Sequence, residues 1–165
     1  MLICAAGGGR TWLRRSEEEL RKALEVDPGF VRSHLILGAV QEQEGKYDDA
    51  LTSLRRASEL SAGDPVILSS LAHACAVSGR THEARATLKG LRQMGERRYV
   101  PPYSMALVHA GLGERRPAYR WLEKAFELRD MHLLWLRVNP RFDALRSDAE
   151  FRELLRRVGA PGAGG

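Results

Sequence analysis

Cysteine is scarce in this chain: of 165 residues only Cys4 and Cys75 carry a thiol. Two cysteines so far apart supply neither a disulfide framework nor a CxxC metal site, and they fit a reducing compartment. Aromatic residues are also few, at 7%. No segment alternates apolar and polar residues with β-branched enrichment, so strands find no support. No apolar run approaches the roughly 18 residues that span a bilayer, which argues against a membrane protein. The opening MLICAAGGGR is too short for a signal peptide and lacks its charged leading region. These absences together predict an all-helical, cytoplasmic chain of about one domain.

Motifs of chemistry are missing as well. There is no Walker loop, GxSxG elbow, HExxH or GxGxxG, and the three glycines of AAGGGRT lack a preceding strand and a following GK[ST]. No cofactor and no metal site is expected. Cys75 and His109 sit 34 residues apart in the sequence, at matching positions. Such a pair could make a nucleophile and base, but two medium-sized core residues explain it as well. His73 has the same core explanation. His34, His82 and His132 fall near predicted helix starts without carboxylates or cysteines at metal-ligand spacing. The net charge is +5, yet the basic residues are interleaved with acids, as in RRSEEELRK and RRPAYRWLEK. That is the pattern of solvated helix faces rather than of a nucleic-acid reader.

What the sequence does contain is a period. GKYDDALTSLRRA from Gly45 returns as GRTHEARATLKGL from Gly79 and GERRPAYRWLEKA from Gly113, 34 residues apart each time. This predicts first helices near 31–44, 65–78 and 101–112, and second helices near 47–61, 81–94 and 115–129. The glycines stand at the breaks, where a left-handed residue ends a helix. Asp64-Pro65 supplies a helix cap followed by a proline at the first helical position. Gly38, Ala72 and Ala106 recur on the first helices, and Ala50, Ala84 and Ala118 on the second. Small side chains there let paired helices approach closely. Leu37 with Leu54, Leu71 with Leu88, and Met105 with Leu122 fill the space around them.

These residues carry a resemblance. HLILGAV with YDDALTSLRRA is similar to the tetratricopeptide repeat in Leu37, Gly38, Tyr47, Ala50, Leu54 and Ala57. The second unit keeps Leu71, Gly79, Ala84 and Leu88; the third keeps Gly113, Ala118, Leu122 and Ala125 but has Pro102 and His109 where large aromatics are common. LRKALEVDP (20–28) resembles the second helix of an earlier repeat. The segment 97–158, with its NPRFDALRSDAEF, resembles the C-terminal end of bacterial regulators whose repeats follow a kinase, cyclase-like or winged-helix domain. The resemblance implies a right-handed α-solenoid of helical hairpins that binds proteins and performs no catalysis. It divides the chain into a partial first repeat (1–30), three units (31–130), a capping segment (131–158) and a disordered tail (159–165).

In such arrays the first helices line a concave groove, here at Arg32, Leu35, Ala39, Ser69, His73, Tyr103 and Leu107. Relatives that grip a C-terminal carboxylate use Lys, Asn and Arg there; Leu35, Ala39, Ser69 and Tyr103 imply an apolar or aromatic peptide or protein segment instead. SDAE (147–150) is expected to form a capping box opening a last helix, with Phe142, Leu145, Phe151 and Leu154 sealing the array. Trp12, Leu20 and Leu24 are expected to lack cover, which makes 11–26 a candidate surface for self-association into a homodimer.

Overall fold

The computed structural model describes residues 9–159, so all of the expected 159–165 tail but its first residue, and the stretch 1–8, lie outside the described residues. Among the described residues eight α-helices follow one another: α1 (Gly9–Val26), α2 (Val31–Gln43), α3 (Tyr47–Leu60), α4 (Pro65–Val77), α5 (Thr81–Gly95), α6 (Pro102–Gly111), α7 (Arg115–Glu127) and α8 (Ala149–Val158). Two 3-10 turns, Met131–Trp135 and Pro140–Leu145, separate α7 from α8. No strand occurs among the described residues. The architecture is an α-solenoid of helical hairpins, α2 with α3, α4 with α5 and α6 with α7.

The 34-residue period has a backbone cause. Gly45, Gly79 and Gly113 adopt φ of 75°, 84° and 71°, which places each one just past the end of its helix. The residue after each glycine then donates back into the last turn: Lys46 to the Gln41 carbonyl, Arg80 to Cys75 and Glu114 to His109, at 2.9, 2.8 and 2.9 Å. Each reversal therefore satisfies the terminal carbonyls that a helix end leaves open. At the start of α4, Asp64 Oδ1 accepts from the Val66 and Ile67 amides, with Pro65 next to it.

Packing within the hairpins follows the small residues. Ala50, Ala72, Ala84, Ala106 and Ala118 are all fully buried. At Gly38 the approach is tighter still: a Cβ there would lie 2.6 Å from Leu54 Cγ and 3.1 Å from the Ala50 carbonyl oxygen. The first helices are enclosed on most sides, and Pro101–His109 forms an unbroken buried run. The second helices bury one face only, as in α7, where Ala118, Leu122 and Ala125 point inward.

At the N-terminal end the structure corrects an expectation. The α1 helix is not bare: it packs on α2 and buries Leu13 and Glu17. Leu20 and Leu24 are half-buried, while Trp12 stays exposed. The contact is partly polar, which its apolar residues did not reveal. Glu17 accepts from Lys46 Nζ at 2.7 Å, Arg21 Nη2 at 2.8 Å and Gln41 Nε2 at 3.3 Å. Gln41 in turn accepts from Ser53 Oγ at 2.8 Å, so one network joins α1, α2, the α2–α3 turn and α3.

Two glycine substitutions test this packing in opposite directions. Gly38→Ala must displace Leu54 and is expected to destabilise the chain by about 1–3 kcal/mol. Gly90, inside α5, would place its Cβ in open space. Gly90→Ala is therefore expected to stabilise by roughly 0.5–1 kcal/mol. Urea unfolding of both variants beside the parent chain checks the pair.

Candidate binding surface

The face built by α2, α4 and α6 does not lie open along its whole length. Beyond α7 the chain turns at Arg129, a residue at φ 53°, and runs back across α6. Leu133, Leu136, Phe142, Leu145, Phe151 and Leu154 then join Tyr103, Leu107, Ala118 and Leu122 in one buried cluster. Phe142, Leu145, Phe151 and Leu154 thus seal the end of the array, as the sequence suggested. The same segment also fills much of the face where a groove was expected.

Tyr103 is its main seat. The ring stacks with His132 (centroids 5.8 Å apart) and meets Phe142 at a tilt (5.4 Å), while its hydroxyl accepts from Asn139 Nδ2 at 2.8 Å. Burial pushes the phenol up to about 12, so it stays protonated. Asp130 fixes the turn from below, accepting the Tyr103 amide at 3.1 Å and the His132 amide at 3.0 Å. His132 Nδ1 lies 2.7 Å from Asp130 Oδ1.

Farther along, Arg141 reaches across the face. Its Nε and Nη2 donate to the two oxygens of Glu42 at 3.0 and 2.8 Å, and its Nη1 donates to Ser70 Oγ at 3.2 Å. The Glu42 and Arg141 side chains are 3% and 9% exposed, so the pair is almost dry. His73 Nδ1 lies 3.0 Å from Glu42 Oε1, although it is turned off the line of a good hydrogen bond. Burial alone would raise the Glu42 carboxyl. Arg141, with His73 beside it, outweighs burial and holds the carboxyl down at about 2. Gly111 is part of this arrangement, because a Cβ there would come within 2.8 Å of the His73 ring.

The residues expected to line the groove therefore divide. Ser69, His73, Tyr103 and Leu107 are buried; they face the returning segment or the core, and the expectation of an open groove at these four is corrected. Arg32 is exposed, and Leu35 and Ala39 are half-buried. Leu35 and Ala39 line a remaining pocket of about 350 Å³, walled by Leu13 and Ile36 on one side and by Trp135 and Pro140 on the other. Ile36 and Trp135 are 40% and 52% exposed. One wall thus comes from the helices and the other from the returning segment.

Glu42, Arg141 and Asp130 went unnoticed in the sequence. A signal for Glu42 was present: the two positions one and two periods later are Ala76 and Ala110, so a charge stands where its counterparts are small. The expected capping box fails for a related reason. Asp148, not Ser147, precedes α8, and its side chain caps nothing. Its carboxylate is taken by Arg115 Nη1, at 2.6 Å to both oxygens, and by the Tyr119 hydroxyl.

Cys75 and His109 do not form a nucleophile–base pair. His109 is occupied at both ring nitrogens, Nδ1 with Glu114 Oε2 at 2.6 Å and Nε2 with Arg92 Nη2 at 3.4 Å. Cys75 is 3% exposed, and burial pushes its thiol up. Both are core residues at the ends of their helices. Among the described residues no group of three His, Cys, Asp or Glu side chains could hold a metal ion, and no helix is long and apolar enough to cross a membrane.

Residues 41–99 match the family model described as tetratricopeptide repeat. The matched stretch runs from the last turn of α2 through α3, α4 and α5, and it includes the reversals at Gly45 and Gly79. With the all-helical hairpin architecture it supports a tetratricopeptide-repeat protein. Tetratricopeptide repeats generally mediate protein–protein interaction. No curated protein and no solved structure matches the chain.

The buried ion pair makes two predictions. Arg141→Ala leaves a carboxylate without its partner and is expected to cost about 3–5 kcal/mol, whereas Glu42→Leu combined with Arg141→Met recovers most of that loss. The second concerns acid. Glu42 and Glu17 are both held at about 2, against an ordinary 4.5; for Glu17 the Lys46 hydrogen bond is the chief cause. A depressed carboxyl contributes stability above its unfolded value. That contribution is expected to disappear as pH falls from about 4.5 toward 2. In Glu42→Gln the loss over this window should be shallower, as measured by urea midpoints at stepped pH.

Proposed function

We propose that this chain is a non-catalytic protein-interaction scaffold, and that it takes an apolar or aromatic segment of a partner in the pocket between α2 and the returning segment. The observation that carries this is the composition of that pocket: Leu13, Leu35, Ile36 and Ala39 face Trp135 and Pro140 across about 350 Å³. Its walls are mostly carbon, with Gln43, Asn139 and Arg141 the polar residues that line it. Apolar side chains gain roughly 25 cal/mol per Å² on entering such a site, and pockets of this kind fix orientation through few polar contacts. Of the residues first expected to contact a partner, Leu35 and Ala39 belong to this pocket. Tyr103 and Leu107 seat the segment that forms its far wall, while Ser69 and His73 lie buried in the helices beneath.

The wider setting is part of the same proposal. The likeness of NPRFDALRSDAEF to the ends of bacterial regulators supports a role as the tail of a larger cytoplasmic regulatory protein. In that setting the scaffold recruits a partner and the chemistry resides elsewhere. A second proposal, self-association through 11–26, is favoured by Trp12 and Val26, 37% and 88% exposed on α1.

A ¹H–¹⁵N titration with the N-acetyl amides of Trp, Phe and Leu tests the pocket. Shifts are expected to cluster at Ile36, Ala39, Trp135 and Val138, and to vanish in Ala39→Trp, whose new ring fills the space. Shifts scattered over the surface, or unchanged in Ala39→Trp, would count against the site. For self-association, sedimentation at rising concentration should show a dimer that Trp12→Asp abolishes; a monomer throughout removes that proposal.

A further inference from the structure

A second groove lies on the opposite helices, between α5 and α7, and two cavities run together in it. One, of about 360 Å³, is lined mainly by Leu91, Val100, Pro102, Met105 and Leu128, with Tyr99 at its mouth and the charged Glu96 and Arg98 also in its wall. The other, of about 660 Å³, is lined by Arg85, Arg92, Arg120 and Lys124 around the buried His109. Arg92, Trp121 and Lys124 line both, so an apolar half and a basic half share one boundary. Tyr99 is 66% and Leu128 55% exposed, large apolar surfaces that the fold itself leaves uncovered.

The basic half is short of counter-charge. Glu114 is its acid, and that carboxylate already receives Arg85 Nη2 at 2.7 Å and His109 Nδ1 at 2.6 Å. Since Nδ1 donates to Glu114, Nε2 of the neutral ring accepts from Arg92, at 3.4 Å. Burial also lowers the His109 pKa and keeps the ring neutral. The Arg92 guanidinium is thus aimed by an uncharged partner and keeps its full charge toward the groove. Lys124 lies 5.0 Å from the Trp121 ring centroid. Among the described residues no carboxylate comes within ion-pair distance of Arg92, Arg120 or Lys124.

We propose that the α5–α7 groove is a second docking site, which takes an acidic peptide segment bearing an aromatic or branched apolar anchor. The anchor enters the cavity beside Tyr99 and Met105, and the carboxylates next to it meet Arg92, Arg120 and Lys124. Guanidinium groups suit carboxylates through paired donors. Unpaired cations beside a carbon-lined pocket also raise the local concentration of an acidic partner. A nucleic acid fits less well, because half the groove is an apolar cavity that a phosphate backbone would leave empty. This site is independent of the pocket at Leu35 and Ala39.

Selection of random twelve-residue peptides displayed on phage against the whole chain tests it. Recovered sequences are expected to place Asp or Glu beside Phe, Trp or Leu. Their affinity should fall at least tenfold in Arg92→Glu/Arg120→Glu, and severalfold when salt rises from about 50 to 200 mM. Both arginines are exposed, and a thermal melt near that of the parent confirms that the variant folds. Tyr99→Asp should weaken the anchor preference, and Ala39→Trp should leave binding unchanged. Three results overturn the proposal: no acid-enriched peptide, binding indifferent to the double charge reversal, or a (dT)20 oligonucleotide that binds more tightly than every selected peptide.

Discussion

Glu42, His73 and Arg141 come from three separate parts of the chain and meet in one nearly dry place, 99 residues apart at the extremes. Removing a carboxylate and a guanidinium from water costs several kcal/mol each. Their attraction offsets that cost only when the geometry is good and the remaining donors are satisfied. Here both carboxylate oxygens are engaged by Arg141, and Ser70 takes a further donor. Such a pair contributes little net stability compared with the burial of Phe142, Leu145, Phe151 and Leu154. Its effect is selective. A segment shifted by one residue would leave two charges buried without partners, so the pair fixes where Pro140 and Trp135 stand and thereby shapes the pocket wall.

The repeats supply the platform on which that pair can exist. Fully buried alanines and Gly38 bring the helices of each hairpin close, and the first helices then form a continuous face from α2 to α6. Glu42, His73 and Tyr103 lie along it in sequence order. Because α6 is covered by α7 on one side and by the returning segment on the other, it is buried from Pro102 to His109. The second helices have no such cover and remain amphipathic. One layer is therefore committed to internal packing, while the outer layer keeps its polar side chains in water.

The division between legible and hidden features follows from range. Gly45, Gly79 and Gly113 act within their own helix ends, so the hairpins and their breaks could be read from spacing alone. The alanine pairs repeat at the same period and were legible for the same reason. Arg141 has no periodic counterpart, and its partner lies 99 positions earlier; nothing local announces the contact. The same holds for Glu17, which serves Lys46 29 residues away. Asp148 shows the converse: a locally plausible cap was overridden by Arg115 and Tyr119, 33 and 29 residues distant. Tertiary partners of higher charge or better geometry win over a local amide.

Burial also alters what charge interleaving means. In the sequence, acids and bases alternate closely enough to suggest a balanced surface. In the structure Glu17, Glu42 and Asp130 are buried, and Glu114 is engaged by Arg85 and His109. Their negative charge is largely neutralised inside the fold or at its edge. Arg141 is drawn in and Lys46 pairs with them from the surface, but Arg92, Arg120 and Lys124 have no such partner among the described residues. Arg92, Arg120 and Lys124 therefore keep their charge toward solvent, next to the cavity that Tyr99 and Leu128 leave uncovered. A field confined in this way acts over about a Debye length, roughly 8–10 Å at physiological salt. In the docking site proposed above, that range suits a short acidic segment held beside the cavity.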